Sequence, residues 1–140
     1  MVYQNILVTG ANRGIGLEFI KQILETSPKN LIATTRNDSE ALNELAKTHK
    51  NLHILKYDSV KFDEIPSFVE KVQEIVGDDG LDLLINNAGS LIHTTLADFE
   101  AAGLIKHLEN NTVGPMMLTK ALLPLLKSSS SKQKTMIANI

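Results

Sequence analysis

Val8-Thr9-Gly10-Ala11-Asn12-Arg13-Gly14-Ile15-Gly16 decides how the rest of the chain is read. The apolar run Ile6-Leu7-Val8 leads into it, and Ile15, Phe19, Ile20, Ile23 and Leu24 lead out at helical spacing. Strand, glycine turn and helix in that order form a cradle for phosphate. A helix begins with unpaired backbone N–H groups and a positive dipole end, and both attract an anion seated over the turn. Side chains at the glycine positions would block that approach or forbid the turn. The spacing is Gly-x-x-x-Gly-x-Gly rather than the commoner Gly-x-Gly-x-x-Gly of dinucleotide sites. A tight turn without a ligand is the competing reading.

Outward from this stretch, apolar runs alternate with helical patterns. The first helix is expected to stop near Ser27-Pro28. Leu31 to Thr35 reads as a second strand, and Asp38 or Ser39 as the cap of a short helix carrying Leu42, Leu45 and Ala46. Leu52 to Leu55 gives a third strand. A helix from Phe62 to Val76 follows, with Gly77 as its stop. Leu81 to Ile85 reads as a fourth strand, and Leu96 to Lys127 as a long helical region, kinked near Gly114-Pro115. After a serine loop from Ser128 to Ser131, Thr135 to Ile140 reads as a fifth strand. Such alternation predicts a doubly wound parallel sheet of Rossmann type, covered on both faces, with right-handed crossovers. The expected strand order is 3-2-1-4-5, with a ligand crevice where the order reverses, between strands one and four.

Composition narrows the function classes. One domain is expected from 140 residues, and 43% hydrophobic with 21% charged residues is ordinary for a globular protein. A net charge of −2 gives no basic face for nucleic acid. With no cysteine, disulfides and thiolate metal sites are ruled out. His49, His53, His93 and His107 show no metal-ligand spacing and read as surface or loop residues. Thr94-Thr95 read as a helix cap. The first strand begins within a few residues of Met1 and no apolar run approaches a membrane span, so a cytoplasmic protein is expected.

Thr9-Gly10-x-x-x-Gly14-x-Gly16, Asn86-Asn87-Ala88-Gly89 after the fourth strand, and Asn111 in the next helix together resemble the short-chain dehydrogenase/reductase family. Asn12-Arg13-Gly14, Thr35-Arg36-Asn37 and Asn111-Thr112-Val113 are most similar to its small carbonyl reductases of the sniffer and C-factor type. The resemblance implies a nicotinamide cofactor held by Gly10, Asn12, Arg13, Gly14, Ile15 and Gly16. It also implies that Asp58 accepts from the adenine amino group with help from Ser59, and that Asn87, Ala88 and Gly89 line the nicotinamide ribose. Asn86 would tie neighbouring strands. Asn111 would be the catalytic asparagine that holds a water in the proton relay, although adjacent Asn110 leaves the register open. A turn aspartate is the competing reading of Asp58.

Charge argues for NADP(H) over NAD(H). NAD sites usually place an acid about 20 residues beyond the glycines to accept from the ribose hydroxyls. Thr35 and Arg36 stand there instead. Arg36 and Arg13 could both reach a 2′-phosphate, and one charge-assisted bond of roughly 1.5–3 kcal/mol gives at least a tenfold preference. Solvated surface arginines are the competing reading.

The family's chemistry is hydride transfer between nicotinamide and a carbonyl, with a tyrosine moving the proton, a lysine one helical turn later and a serine at the carbonyl. Here the tyrosines are Tyr3 and Tyr57 only. Tyr57-x-x-x-Lys61 fits the spacing but precedes the Asn86 motif and straddles Asp58, so it reads as a coincidence. The resemblance therefore implies the amino-terminal, NADP-binding portion of a longer reductase (residues 1–140), its sheet incomplete beyond strand five and that strand an unprotected edge. Two further readings stand beside it: a non-catalytic nucleotide-binding or interaction module, and a flavodoxin-like or receiver-type domain. The carbonyl substrate is not encoded in these residues. Monomer and homodimer both remain open.

Overall fold

The computed structural model describes residues 3–131 and 134–140. Five strands, β1 (Asn5–Val8), β2 (Asn30–Thr35), β3 (Leu52–Lys56), β4 (Leu83–Asn86) and β5 (Met136–Asn139), form one parallel sheet in the order β3-β2-β1-β4-β5. The connections carry α1 (Gly14–Glu25), α2 (Glu40–Thr48), α3 (Ile65–Val76), α4 (Ala101–Leu108) and α5 (Gly114–Lys127). This is the doubly wound sheet and strand order that the sequence predicts.

Alternation along the strands assigns the two faces. Ile6 and Val8 of β1, with Leu31 and Ala33 of β2 and Leu83 and Ile85 of β4, bury themselves with Ile20 and Leu24 of α1 and Leu42 of α2. Leu7, Ile32 and Leu84 point the other way, to Phe68, Val72 and Val76 of α3 and Leu118, Leu122 and Leu125 of α5. Successive strand side chains point to opposite faces, so one short apolar run supplies both cores. Each fully buried aliphatic or phenyl group contributes about 1.5–3 kcal/mol.

Helix ends follow local chemistry. Ser39, not Asp38, caps α2, its Oγ accepting from the Leu42 N–H at 3.4 Å. Asp38 instead pairs with Lys56 at 3.0 Å. α3 ends at Val76 ahead of Gly77, and a short 3-10 turn, Gly77–Asp79, follows.

Several boundaries differ from expectation: α3 begins at Ile65 after a 3-10 turn, Phe62–Glu64, and β5 is confined to Met136–Asn139. β4 begins at Leu83 rather than Leu81. Asp82, just before it, is buried: its Oδ2 accepts from the N–H groups of Gln4 (2.8 Å) and Asn5 (2.9 Å), its own N–H donates to the Asn5 carbonyl (2.9 Å) and its carbonyl accepts from the Met136 N–H (3.0 Å). The helical region begins at Ala101, not Leu96. Thr94-Thr95 cap no helix. Thr95 Oγ1 donates to Asp98 Oδ2 and the Asp98 N–H to the Thr95 carbonyl, which makes a turn. Leu96 is 97% exposed, so no apolar face is buried there to hold a helix. Finally, α4 and α5 are joined through a π turn, Glu109–Val113, immediately before the expected kink at Gly114-Pro115.

One histidine leaves the surface role expected of it. His53 lies in β3, half-buried, its Nε2 3.1 Å from Asn30 Oδ1. Burial lowers its pKa. His107 lies in α4. Among the described residues no helix is long and apolar enough to cross a membrane, and no cluster of three His, Asp or Glu could hold a metal.

Candidate functional site

β1 and β4 are neighbours, yet the chain leaves them for opposite sides of the sheet, which opens a crevice at their carboxyl ends. The glycine turn rises there. Its first glycine, Gly10, has φ of +65°, and a Cβ on it would lie 2.8 Å from the Cα of Ala88. A Cβ on Gly16 would lie 2.2 Å from the Gly10 carbonyl oxygen and 2.5 Å from Asn87 Nδ2. Both positions are thus closed to any side chain by the segment after β4. α1 starts at Gly14 with Arg13 as its N-cap residue and no side-chain cap.

Asparagines and a threonine fasten the turn to the segment after β4. Asn87 Nδ2 donates to the carbonyl oxygens of Thr9 (3.0 Å) and Gly10 (3.1 Å). Thr9 Oγ1 accepts from the N–H groups of Asn87 and Ala88, each at 3.0 Å. The Gly10 N–H reaches Thr34 Oγ1 at 3.3 Å, and the Ala11 N–H the Thr34 carbonyl at 2.8 Å, joining the turn to β2. Asn86 is buried, and its Nδ2 donates to Asn139 Oδ1 on β5 (2.9 Å) and Thr119 Oγ1 on α5 (3.1 Å). It ties neighbouring elements, as the resemblance implies.

Two clefts flank this segment. One, of about 1010 Å³, is lined by Arg13, Ile15, Asn86 to Leu91, Asn111, Thr112 and the end of β5. The other, of about 410 Å³, is lined by Arg36, Val60, Ser90, Ala102, Ile105, Lys106, Glu109 and Asn110. Arg36 directly follows β2, at a turn closed by Thr35 Oγ1 donating to the Asn37 carbonyl at 2.7 Å. Arg13 lines the larger cleft and Arg36 the smaller one. Lys106, unremarked in the sequence, is the second cation beside Arg36. Asn12 is exposed in the turn, and Ile15 is exposed at the mouth of α1.

Asp58 Oδ1 accepts from the Val60 N–H at 3.3 Å, a turn-forming bond that matches its competing reading. Ser59 is buried and its Oγ donates to Asn110 Oδ1. Asn110 Nδ2 donates to Ser90 Oγ at 2.8 Å. Asn111, one residue on, turns to the larger cleft. Its Oδ1 accepts from the Ser90 N–H at 2.8 Å, and its Nδ2 donates to the Ser90 carbonyl at 2.7 Å. Gly89 sits against it: a Cβ there would lie 3.3 Å from Asn111 Oδ1. The π turn sets Asn110 on the side chain of Ser90 and Asn111 on its backbone, a distortion often found at functional sites.

Tyr57 and Lys61 are not part of either cleft. Tyr57 is buried in the α3/α5 core, its ring 4.6 Å from that of Phe68. Burial, with Asp58 adding to it, raises its pKa to about 12. Lys61 is exposed and pairs with Glu64 at 2.9 Å, which raises its pKa. Tyr3, the other tyrosine, packs at the margin of the α1/α2 core.

Comparison with known proteins agrees with this geometry. A family model described as short chain dehydrogenase matches residues 4–140. The short chain dehydrogenase gsfK of Penicillium aethiopicum is 35% identical over 134 residues, which span 92% of this chain and 53% of that protein. The carbonyl reductase Sniffer of D. melanogaster is 40% identical with a TM-score of 0.86, over 90% of this chain and 53% of that one. An NADPH-bound carbonyl reductase from chicken fatty liver is 35% identical with a TM-score of 0.87, over 91% of this chain and 50% of that one. The chain spans about half the length of these relatives. The flavodoxin-like and receiver-type alternatives are set aside by the family match, and the chain belongs to the short-chain dehydrogenase/reductase family.

Proposed function

We propose that residues 1–140 form the NADP(H)-binding part of a reductase that acts on small carbonyl compounds. The reading rests on one observation above all: a cradle in which neither Gly10 nor Gly16 has room for a side chain, beside the uncapped start of α1. Gly10, Asn12, Arg13, Gly14, Ile15 and Gly16 would hold the pyrophosphate there. Arg36, with Lys106 in the same cleft, would receive the 2′-phosphate, and no acid stands at the end of β2 to prefer a free ribose hydroxyl. Asp58 and Ser59 would meet the adenine, and Asn87, Ala88 and Gly89 the nicotinamide ribose. Asn111 would serve the proton relay. When bound, the nicotinamide supplies hydride; these side chains only bind and orient it. The NADPH named for the chicken carbonyl reductase supports the cofactor choice. A cytoplasmic location goes with this reading.

A second reading, a nucleotide-binding module that does not turn over by itself, is favoured by the tyrosines. Tyr57 is sealed in the core and Tyr3 packs on the other one, so neither can pass a proton in the cleft. Fluorescence titration with NADPH and NADH, followed by incubation with NADPH and a reactive ketone, tests both. Tight NADPH binding, weaker NADH binding and no loss of cofactor absorbance fit both readings of these residues. Indifference to NADPH sinks both, and turnover sinks the second.

A further inference from the structure

We propose that His107 is a positioning residue for Asn111, holding its amide in the orientation that clasps the backbone of Ser90 at the edge of the larger cleft. Asn111 Nδ2 carries two hydrogens. One goes to the Ser90 carbonyl at 2.7 Å, and His107 Nε2 lies 2.9 Å away to accept the other. Asn111 Oδ1 meanwhile accepts from the Ser90 N–H at 2.8 Å. An amide flipped by half a turn would set oxygen against the Ser90 carbonyl and N–H against the Ser90 N–H, so the network admits one orientation. It also fixes the imidazole: Nε2 accepts, hence the proton sits on Nδ1, which is buried and makes no hydrogen bond among the described residues. His107 and Asn111 are four residues apart, one helical turn, and the π turn begins between them.

A second proton on the imidazole converts Nε2 from acceptor to donor and sets two N–H groups against each other. The clasp therefore belongs to neutral His107 and is lost on acidification. Other ionisable groups lie on the elements around this helix. They are His93 and Asp98 in the connection after β4, Asp58 and Lys61 after β3, Arg13 at the mouth of α1, and Lys106 and Glu109 beside His107. None of them hydrogen-bonds to the imidazole among the described residues. The importance of the clasp for cofactor rests on the proposed function; the clasp itself does not.

The test is NMR on the free 140-residue chain, following the Asn111 side-chain amide and the protection of the Ser90 N–H from exchange between pH 8 and pH 5. In the native sequence, the Asn111 resonances should move in one step and Ser90 protection should fall about tenfold, the loss of one net hydrogen bond. His107→Gln, whose carbonyl can accept at every pH, should keep the protection and abolish the step. His107→Phe should lack protection throughout, and His93→Gln should titrate like the native chain. A step that survives His107→Gln or vanishes in His93→Gln overturns the proposal. NADPH titrations of the same proteins form a separate arm: failure to bind in all of them refutes the proposed function while the NMR result still decides the clasp.

Discussion

Asn87 holds Gly10 from behind, its Nδ2 3.1 Å from the Gly10 carbonyl oxygen and 3.0 Å from that of Thr9. The carbonyls at the end of β1 are thus turned into the protein by a side chain from β4's end. Removing that amide leaves two half-buried acceptors short of a donor, a loss of about 1–3 kcal/mol. Asn87→Ala should lower the midpoint of urea unfolding by that amount and weaken NADPH binding at least tenfold. Equal affinity in the variant would remove Asn87 from the cofactor site.

Gly16→Ala separates crowding from hydrogen bonding. The added methyl would stand 2.2 Å from the Gly10 oxygen, against backbone that cannot swing aside. The turn must shift, and overpacking of this kind typically costs about 1–3 kcal/mol. NADPH binding should fall below detection while the circular dichroism of the fold persists. Unchanged binding in a folded variant would contradict the cradle.

Arg36→Ala tests cofactor choice. Loss of one charge-assisted bond of roughly 1.5–3 kcal/mol should raise the NADPH dissociation constant by about tenfold to a hundredfold. NADH, which lacks the extra phosphate, should bind within about twofold of its native affinity. Arg13 lines the other cleft, so Arg13→Ala should weaken both cofactors alike. A selective effect of Arg13 with none from Arg36 would reverse the assignment.

Much of this architecture was legible because its causes are local. Ile6-Leu7-Val8 is apolar at every position, as a strand buried on both faces must be, and the glycines that follow it mark a close backbone approach. The same locality exposes Tyr57-x-x-x-Lys61 as a coincidence of spacing: Tyr57 packs on Phe68 in the core. What depends on the irregular connection between β4 and α4 was not legible. The helix start at Ala101 and the cation Lys106 beside Arg36 are set by that connection's path. His107 and Asn111 stand at helical spacing and could have been paired from the sequence. Ser90, the backbone they meet, comes from 17 residues before His107 and no periodicity links the two.

Tyr57→Phe should be neutral or stabilising. The hydroxyl is buried without a hydrogen-bond partner among the described residues, and an unpaired buried hydroxyl costs about 1–3 kcal/mol. Its deletion should raise the unfolding free energy by up to about 1 kcal/mol and leave NADPH affinity unchanged. Thermal unfolding with and without NADPH measures both. A large loss of binding with stability intact would return Tyr57 to the site.

Stability should fall with acid through His53. The ring sits half-buried on β3, in a line of side chains at the amino ends of the strands. Its Nε2–H donates to Asn30 Oδ1 (3.1 Å), Asn30 Nδ2 to Asn5 Oδ1 (2.9 Å) and Asn5 Nδ2 to the Gly80 carbonyl (2.8 Å). Burial lowers the pKa of His53 from its ordinary 6.5, so near that pH the unfolded chain takes up the proton more readily than the folded one. The contribution is complete above the unfolded value and is lost as pH falls from there through the lower folded value. His53→Gln, which can still donate to Asn30 but does not titrate, should flatten that part of the profile. Urea unfolding at intervals from pH 8 to pH 5 measures the difference between the two proteins, and identical slopes would show that His53 does not contribute.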